Sequence, residues 1–279
     1  HTSCSRDWSS DVCSSDLMEA DLLVAAPLTL AAGERVAVLD ADKPLFSPRL
    51  VASGRLPRLA AGMTLTPPEG PALMIVGAAS VPGDGDAPAG RLCTAKALEA
   101  GCLPAGQTRF AVTKKGLALA WVTLSDKGSQ GLRADAAGPA IAETCVAALP
   151  VALAQGHLIP DEPAELRALL LDLAVTQGFD LIVTTGGTGL SPRDATPEAT
   201  LGVIEKRLPG FEAAMLLASL AKTPHAMLSR AVAGTVGRAI VVNLPGSPKA
   251  VRETLAAVLA AIPHGLDKLR GDPSDCGQG

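Results

Sequence analysis

The sequence predicts an α/β fold in which helices cover both faces of a mostly parallel sheet in a three-layer α/β/α arrangement, preceded by a small β-rich domain. Strand-like and helix-like segments alternate in the second half of the chain, whereas short apolar runs separated by turns fill the first half. The 279 residues also exceed the usual size of one domain. We place the domain boundary between residues 113 and 116, at a short charged hinge, which gives domains at 18–113 and 114–279.

The first domain is predicted to be a β-rich accessory domain. Strands are expected at 36–39, 73–76 and 110–112, loops at 67–70 and 81–86, and one helix at 94–100. Cys93 and Cys102 are either a reactive thiol pair or small buried side chains.

Residues 1–17 precede the first methionine, Met18. They contain neither the apolar segment nor the cleavage pattern of a secretory signal. We expect a non-native or disordered leader and exclude it from functional reasoning.

Composition excludes several classes of protein. The net charge is −4 with Lys and Arg scattered, so no broad basic face is available for nucleic acid. Charge, Gly or Pro interrupts every apolar stretch before it reaches the length of a membrane span. The six cysteines form no C-x-x-C, which indicates neither a zinc site nor a disulfide framework and favours a cytoplasmic protein with reduced thiols.

In the second domain every candidate polar turn follows a predicted strand. Strands are expected near 117–124, 150–158, 180–185 and 239–243, and helices near 138–148, 163–177, 196–206, 211–221 and 248–260. The turns are at 125–126, 161–162, 186–194 and 243–247. Because ligands of parallel sheets bind outside the carboxyl ends of the strands, we interpret the turns as one site.

The segment at 181–198 carries most of the functional information. An apolar β-branched run ends in a glycine turn, and helix-starting residues follow near Thr196. Glycines leave backbone N–H groups open to close approach, which suits a phosphate, and the carboxylate of Asp194 beside a phosphate suggests Mg²⁺ between them. Neither G-x-x-x-x-G-K-[ST] nor G-x-G-x-x-G is present, so a P-loop hydrolase and a dinucleotide-binding fold are both disfavoured. A glycine turn that binds no ligand is the alternative.

This segment resembles the signature of the molybdopterin-binding domain family, which includes bacterial molybdopterin adenylyltransferase, the molybdate insertases and gephyrin-type proteins. Four further stretches agree with that family in order and spacing, and they lie at 121–129, 138–141, 157–162 and 240–250. The resemblance covers about residues 115–279.

The resemblance implies the molybdopterin-binding fold and an enzyme of molybdenum cofactor biosynthesis. Such a nucleotidyltransferase would move AMP from ATP to the phosphate of molybdopterin with Mg²⁺ and release pyrophosphate. It also implies a homotrimer, and a molybdate insertase as a partner. The alternatives are an insertase-type step and a non-catalytic pterin carrier or scaffold.

The candidate site residues follow from this chemistry and from the resemblance. Asp161 and Asp194 are the expected catalytic residues and Mg²⁺ ligands. The expected substrate-binding residues are Ser125, Asp126, Gly186, Gly187, Thr188, Gly189, Arg193, Asn243, Pro245, Gly246 and Ser247.

Structural roles compete with some of these assignments. Asp161 is also a candidate N-cap of the following helix, and Thr196 is a candidate cap of the helix after the glycine turn. Arg193 is expected either to contact phosphate or to pair with Glu198. For residues 125–126 and 243–248, the alternative to ligand binding is an ordinary turn at the end of a strand. None of His157, His225 and His264 is expected to be catalytic.

Overall fold

The computed structural model describes residues 18–40, 46–83 and 89–272. The predicted leader at 1–17 and part of the predicted loop at 81–86 lie outside the described residues. The chain divides into two compact units, the first ending at Gly116 and the second beginning at Leu117. Each is described by itself below.

The first unit is a closed β-barrel. Its strands are β1 (Met18–Val24), β2 (Leu28–Leu30), β3 (Arg35–Leu39), β4 (Arg49–Ala52), β5 (Thr64–Thr66), β6 (Leu73–Val81), β7 (Gly90–Ala97), β8 (Gly101–Leu103) and β9 (Gly106–Thr113). The barrel order is β1-β4-β3-β7-β6-β5-β9, and β2 pairs with β8. Inward side chains alternate along the strands, and Leu22, Leu50 and Phe110 in the core have no exposed surface.

The predicted helix at 94–100 is wrong, because β7 occupies most of that segment. Cys93, Ala95 and Ala97 point alternately into the barrel, and β7 pairs with both β3 and β6. Barrel burial at a period of two therefore overrides the helix propensity of an alanine-rich stretch.

The two cysteines considered for reactivity have different surroundings. Cys93 lies in the barrel core and Cys102 is exposed on β8, and both thiols are free. Burial raises the pKa of the Cys93 thiol, despite the opposing effect of nearby Arg91. A raised pKa disfavours the thiolate, which argues against reactivity at Cys93.

The second unit is a sheet with helices on both faces. Its strands are β10 (Leu117–Leu124), β11 (Val151–Ile159), β12 (Leu181–Thr185), β13 (Lys206–Arg207), β14 (Ala233–Val236) and β15 (Ala239–Leu244). Its α-helices are α1 (Asp126–Ser129), α2 (Ala137–Ala148), α3 (Pro163–Leu171), α4 (Thr196–Leu201), α5 (Pro209–Leu220), α6 (Pro248–Ala256) and α7 (Ile262–Arg270). A π-helical segment at Asp172–Gln177 continues α3, and 3₁₀ segments lie at Pro224–Leu228 and Leu259–Ala261.

The sheet order β11-β10-β12-β15-β14-β13 confirms the predicted mostly parallel sheet. The first four strands are parallel, β14 pairs antiparallel with β15, and the edge strand β13 pairs antiparallel with β14. One face is buried under α2, α5, α6 and α7, whose buried side chains join the alternate residues of β10, β12 and β15 in one core. Leu166 and Leu170 of α3 are buried outside that core, which is consistent with a helix layer on the other face.

Several predicted helix boundaries were wrong. The helix expected at 196–206 ends at Leu201, because β13 begins at Lys206 and pairs with β14. The helix expected at 248–260 ends at Ala256, and α7, β13 and β14 were not predicted. Among the described residues, no helix combines the length and apolar character needed to cross a membrane.

Candidate active site

The carboxyl ends of four parallel strands bring the predicted polar turns to one edge of the sheet. Ser125 follows β10, Asp161 follows β11, and the glycine turn follows β12. Backbone hydrogen bonds join the turns: Ser125 N–H donates to the Ile159 carbonyl at 3.0 Å, and Gly186 N–H donates to the Leu244 carbonyl at 3.3 Å. The structure therefore assembles segments that are far apart in sequence.

Asp126 and Asp161 are held together by reciprocal hydrogen bonds. The Asp126 N–H donates to Oδ2 of Asp161, and the Asp161 N–H donates to Oδ1 of Asp126, both at 3.0 Å. The predicted N-cap role of Asp161 is wrong, because Glu162 occupies the N-cap of α3 and makes no side-chain capping bond. The carboxylate of Asp161 is thus directed toward the neighbouring turn.

Arg193 forms ion pairs across this edge. Its Nη2 donates to both carboxylate oxygens of Asp126, at 2.8 and 2.9 Å, and its Nη1 donates to Glu162 at 3.0 Å. The predicted pairing with Glu198 is wrong, since Glu198 pairs with Arg230. About half of the Arg193 side chain is exposed (55%), so these pairs stabilise the fold little and leave the guanidinium able to exchange partners.

The two aspartates of the reciprocal pair have opposite pKa shifts. The pKa of Asp126 is lowered by the hydrogen bond from the Asp161 backbone N–H and then by the hydrogen bond from Arg193. The pKa of Asp161 is raised, chiefly by burial, with the carboxylates of Asp126 and Asp194 adding to it. The carboxylate of Asp194 is therefore close enough to Asp161 to disfavour the charge of Asp161, and a cation would relieve that effect.

The glycine turn adopts a conformation that requires glycine at two successive positions. Gly186 has φ +100° and Gly187 has φ +63°. A Cβ at Gly186 would lie 2.5 Å from the Leu124 carbonyl oxygen, and a Cβ at Gly187 would clash with Oγ1 of Thr196. The same Cβ at Gly187 would lie 3.6 Å from Oδ1 of Asp161, so the turn passes beside that carboxylate.

The backbone of this turn has unused donors. Among the described residues, no group accepts a hydrogen bond from the N–H of Gly187, Thr188 or Gly189. Consecutive free N–H groups at a glycine turn form a concave anion site. The expected phosphate therefore has donors available in the backbone.

Asp194 closes the far end of the turn. Its Oδ2 accepts from the Ser191 N–H at 2.8 Å, and its own N–H donates to the Ser191 carbonyl at 2.9 Å. A Cβ on Gly189 would lie 2.9 Å from the same Oδ2, so the carboxylate lies against the turn.

Thr196 does not cap α4 as predicted. The N-cap is Ala195, and Thr196 is the first helical residue. Its N–H donates to the Gly187 carbonyl at 3.1 Å, and its buried Oγ1 has no hydrogen-bond partner among the described residues. Thr196 therefore packs against the glycine turn.

The end of β15 holds Asn243, one of the predicted substrate-binding residues, inside the fold. Asn243 is fully buried, and its amide donates to Thr184 and Thr200, each at 2.9 Å. Asn243 thus ties β15 to β12 and α4, and its buried Oδ1 has no hydrogen-bond partner among the described residues. Its contact with substrate stays a prediction.

The remaining predicted residues of the edge have structural contacts as well. The Pro245 carbonyl accepts from the Thr185 hydroxyl at 2.7 Å, and Gly246 lies against Gly186. Both Ser125 and Ser247 use their hydroxyls to cap helices, α1 and α6 respectively. Pro245 and Gly246 thus line the edge, and the two serines fix its turns.

Arg230 is a site residue that the sequence did not reveal. Its backbone N–H donates to the Thr188 carbonyl at 3.1 Å, its Nε donates to the Gly189 carbonyl at 2.9 Å, and its Nη2 donates to the Asp194 carbonyl. Glu198 pairs with the same guanidinium. Arg230 lies 36 residues after Asp194 in the sequence. Its hydrogen bonds therefore hold both ends of the glycine turn in place.

Asp161 and Asp194 suit a magnesium ion whose remaining ligands are supplied by the substrate. Asp161 and Asp194 each use Oδ2 for a backbone hydrogen bond, and no described residue donates to their Oδ1 atoms. The described part of the chain holds no cluster of three or more His, Cys, Asp or Glu suited to a metal. Mg²⁺ commonly uses only one or two carboxylates together with substrate phosphates.

Comparison with known proteins decides the family. The model of a family described as a probable molybdopterin binding domain matches residues 120–264. This chain belongs to that family. Molybdopterin adenylyltransferase of Helicobacter pylori (strain J99) is 41% identical over 152 residues, which are 54% of this chain and 86% of that protein. The Escherichia coli (strain K12) protein of the same name is 40% identical, over 54% of this chain and 80% of its own length.

Other members of the molybdopterin-binding family agree in sequence and in structure. Gephyrin of Dictyostelium discoideum is 39% identical over 161 residues, although the matched part is only 22% of that larger protein. A crystal structure of the molybdopterin biosynthesis enzyme MoaB from Thermus thermophilus is 46% identical with a TM-score of 0.53. It covers 57% of this chain and 99% of that one. The resemblance predicted from the motifs is confirmed, and the family's matched residues lie within the second unit.

Proposed function

We propose that this chain catalyses a step of molybdenum cofactor biosynthesis, the transfer of AMP from ATP to the phosphate of molybdopterin, with release of pyrophosphate. The observation that carries the proposal is the glycine turn, which has free N–H groups at Gly187–Gly189 and lies against the carboxylates of Asp161 and Asp194. Relatives named molybdopterin adenylyltransferase, about 40% identical, support the same reaction.

The chain's own groups account for binding and orientation. The backbone N–H groups of the turn would hold a phosphate, as unused donors in a fixed conformation do without further reorganisation. Arg230 fixes the turn, and Gly186 and Gly187 permit the backbone angles that expose the donors. The two reacting phosphates would then be held in line at one edge of the sheet.

The two carboxylates would serve as magnesium ligands. Asp161 and Asp194 would hold Mg²⁺ through their free Oδ1 atoms, and the ion would neutralise charge on the reacting phosphates and on the leaving pyrophosphate. Because the neighbouring carboxylate of Asp194 helps to raise the pKa of Asp161, a cation bound beside them would be favoured. A non-catalytic pterin carrier would not need this arrangement.

Arg193 supplies a movable positive charge in this scheme. It pairs with Asp126 and Glu162, and about half of each of the three side chains is exposed. A bound phosphate would compete with those carboxylates for the guanidinium, since phosphate and carboxylate both match its planar fork.

We also propose a cytoplasmic homotrimer that passes its product to a molybdate insertase. Exposed apolar side chains on the second unit support self-association, among them Leu217 of α5, which is 67% exposed, and Met227, which is 71% exposed. Size-exclusion chromatography with light scattering would test the oligomer, and a monomeric mass at micromolar concentration would contradict it.

The reaction itself is tested with purified protein, molybdopterin and ATP. We expect pyrophosphate and adenylylated molybdopterin in equal amounts, only when Mg²⁺ is present. Release of phosphate instead of pyrophosphate, or binding of molybdopterin without any product, would refute the proposed reaction.

A further inference from the structure

The barrel of the first unit contains a cleft that no part of the proposed reaction uses. Its volume is about 440 Å³, within the range of small-molecule sites. It is lined by Asp40, Arg55, Leu56, Pro57, Arg58 and Arg91. Three of these six side chains carry a positive charge, in a protein whose net charge is −4.

Arg91 is a fixed element of this cleft. It lies on β7, its Nη2 donates to the Leu59 carbonyl at 2.9 Å, and its backbone N–H donates to Oδ2 of Asp40 at 2.8 Å. A guanidinium already held on one side loses little conformational entropy when a ligand contacts another side.

Arg55 and Arg58 extend from a short segment that is anchored at both ends. On one side, both the N–H and the hydroxyl of Ser53 donate to the Asp21 carbonyl, at 3.0 and 3.2 Å. On the other side, Leu59 is fully buried in the barrel core. Pro57 between the two arginines restricts the backbone further. The backbone that carries the two arginines is therefore held at both ends, and both side chains line the cleft.

The single carboxylate of the lining is directed toward the strand backbone. Oδ2 of Asp40 accepts from Arg91 N–H, and Oδ1 lies so close to Gly90 that a Cβ there would be 2.5 Å away. The lining therefore has three positive charges against one negative charge, and the carboxylate's hydrogen bonding is directed to β7.

We propose that this cleft binds the phosphate group of a small molecule. Guanidinium groups match the geometry of phosphate oxygens, and several converging arginines suit a doubly charged anion better than a single carboxylate. Leu56 and Pro57 add a small apolar wall for the body of the ligand. The proposal rests on the first unit alone and is independent of the reaction proposed for the second.

Titration of the full ¹⁵N-labelled chain with inorganic phosphate tests it, with NMR reporting the two regions separately. The amide of Arg91 reports the cleft, and the amides of Gly187–Gly189 report the glycine turn. We expect saturable shifts at Arg91, and about a tenfold or greater rise in that Kd in the Arg55→Gln/Arg58→Gln double variant, with the glycine-turn Kd unchanged. Both arginines are exposed, so the variant should fold.

Arg35→Gln is the matched control, because Arg35 is an exposed arginine of the same barrel outside the cleft. It should leave the Kd at Arg91 unchanged. An Arg91 response that survives in the double variant, or that Arg35→Gln weakens equally, would overturn the cleft proposal. Loss of the glycine-turn response alone would count against the proposed reaction and not against the cleft.

Discussion

Asp126 and Asp161 bind each other's backbone, since each carboxylate accepts a hydrogen bond of 3.0 Å from the N–H of the other. This pair links the turn after β10 to the turn after β11, on neighbouring parallel strands. It leaves one oxygen of Asp161 directed toward the glycine turn, 3.6 Å from where a Cβ on Gly187 would be. The reciprocal bonds therefore fix the position of a carboxylate that the proposed reaction needs.

The first prediction concerns pH. Burial raises the pKa of Asp161, so its carboxylate form is lost at a higher pH than for an ordinary aspartate as the solution is acidified. If ionised Asp161 is required, the acid limb of the kcat/KM profile should report this raised pKa. Arg193 lowers the pKa of Asp161, so Arg193→Gln should move the acid limb to higher pH.

The contributions of Asp126 and Asp161 to the free energy of unfolding change with pH in opposite directions. Asp126 has a lowered folded-state pKa, so its contribution is present above its unfolded pKa and is lost as the pH falls through the folded value. Asp161 has a raised pKa, so its contribution is present below its unfolded pKa and is lost as the pH rises through the folded value. The control for the acid-limb shift expected of Arg193→Gln is Arg207→Gln, which breaks the ion pair between Arg207 and Glu212. A similar acid-limb shift in that variant would contradict a local effect of Arg193.

The second prediction concerns the glycine turn. Gly187→Val should remove binding of the molybdopterin phosphate, because the branched side chain clashes with Thr196 and opposes a φ of +63°. Gly237→Val is the matched control, since Gly237 has φ +56° but an added Cβ meets nothing within 4 Å. Isothermal titration should show lost affinity only at Gly187. Equal affinity in both folded variants would show that the turn does not hold the phosphate.

The third prediction concerns Arg230 as a positioning residue. Arg230→Lys keeps the charge but cannot donate to the Gly189 and Asp194 carbonyls together, so the turn should lose its fixed geometry. We expect kcat/KM to fall by about 10- to 100-fold, since small misplacements of reacting groups have effects of that size. Most of the loss should be in kcat, with little change in the melting temperature. A purely structural role would instead lower the melting temperature and leave kcat unaltered, and Arg252→Gln, in an exposed pair with Glu143, should change neither.

The fourth prediction concerns the two units. The second unit is compact by itself, and its core forms without residues of the barrel. A fragment that begins near Lys114 should therefore fold alone and retain adenylyltransferase activity. Circular dichroism would measure a cooperative melt, and pyrophosphate release would measure activity. A fragment that is folded but inactive until the first unit is added back would show that the barrel is not an accessory.

The sequence was informative where local pattern and local chemistry agree. The strand–glycine–helix order at 181–198 predicted β12 and the turn, because positive φ angles at Gly186 and Gly187 are a local requirement. The polar turns could be placed at one edge because parallel strands align their carboxyl ends.

Long-range contacts account for what the sequence did not predict. Arg230 reaches the turn from a segment that shows no local motif, and the reciprocal bonds of Asp126 and Asp161 span 35 residues. The sequence also did not reveal that the Asn243 amide donates to Thr184 and Thr200 inside the fold, partners that lie 59 and 43 residues away along the chain. Likewise, β7 was mistaken for a helix because its barrel partner β3 is distant in sequence and because the barrel buries alternate residues of an alanine-containing stretch.

The central claim is that Asp161 and Asp194 act on charge that develops during adenylyl transfer. Single-turnover formation of adenylylated molybdopterin from ATP and Mg²⁺, measured beside molybdopterin affinity in Asp161→Asn and Asp194→Asn, tests it most directly. We predict that turnover falls by orders of magnitude in each variant while molybdopterin affinity is largely kept, because charge stabilisation is used mainly in the transition state. Affinity and turnover falling together, by the same factor, would contradict the claim and assign the two aspartates to shaping the pocket.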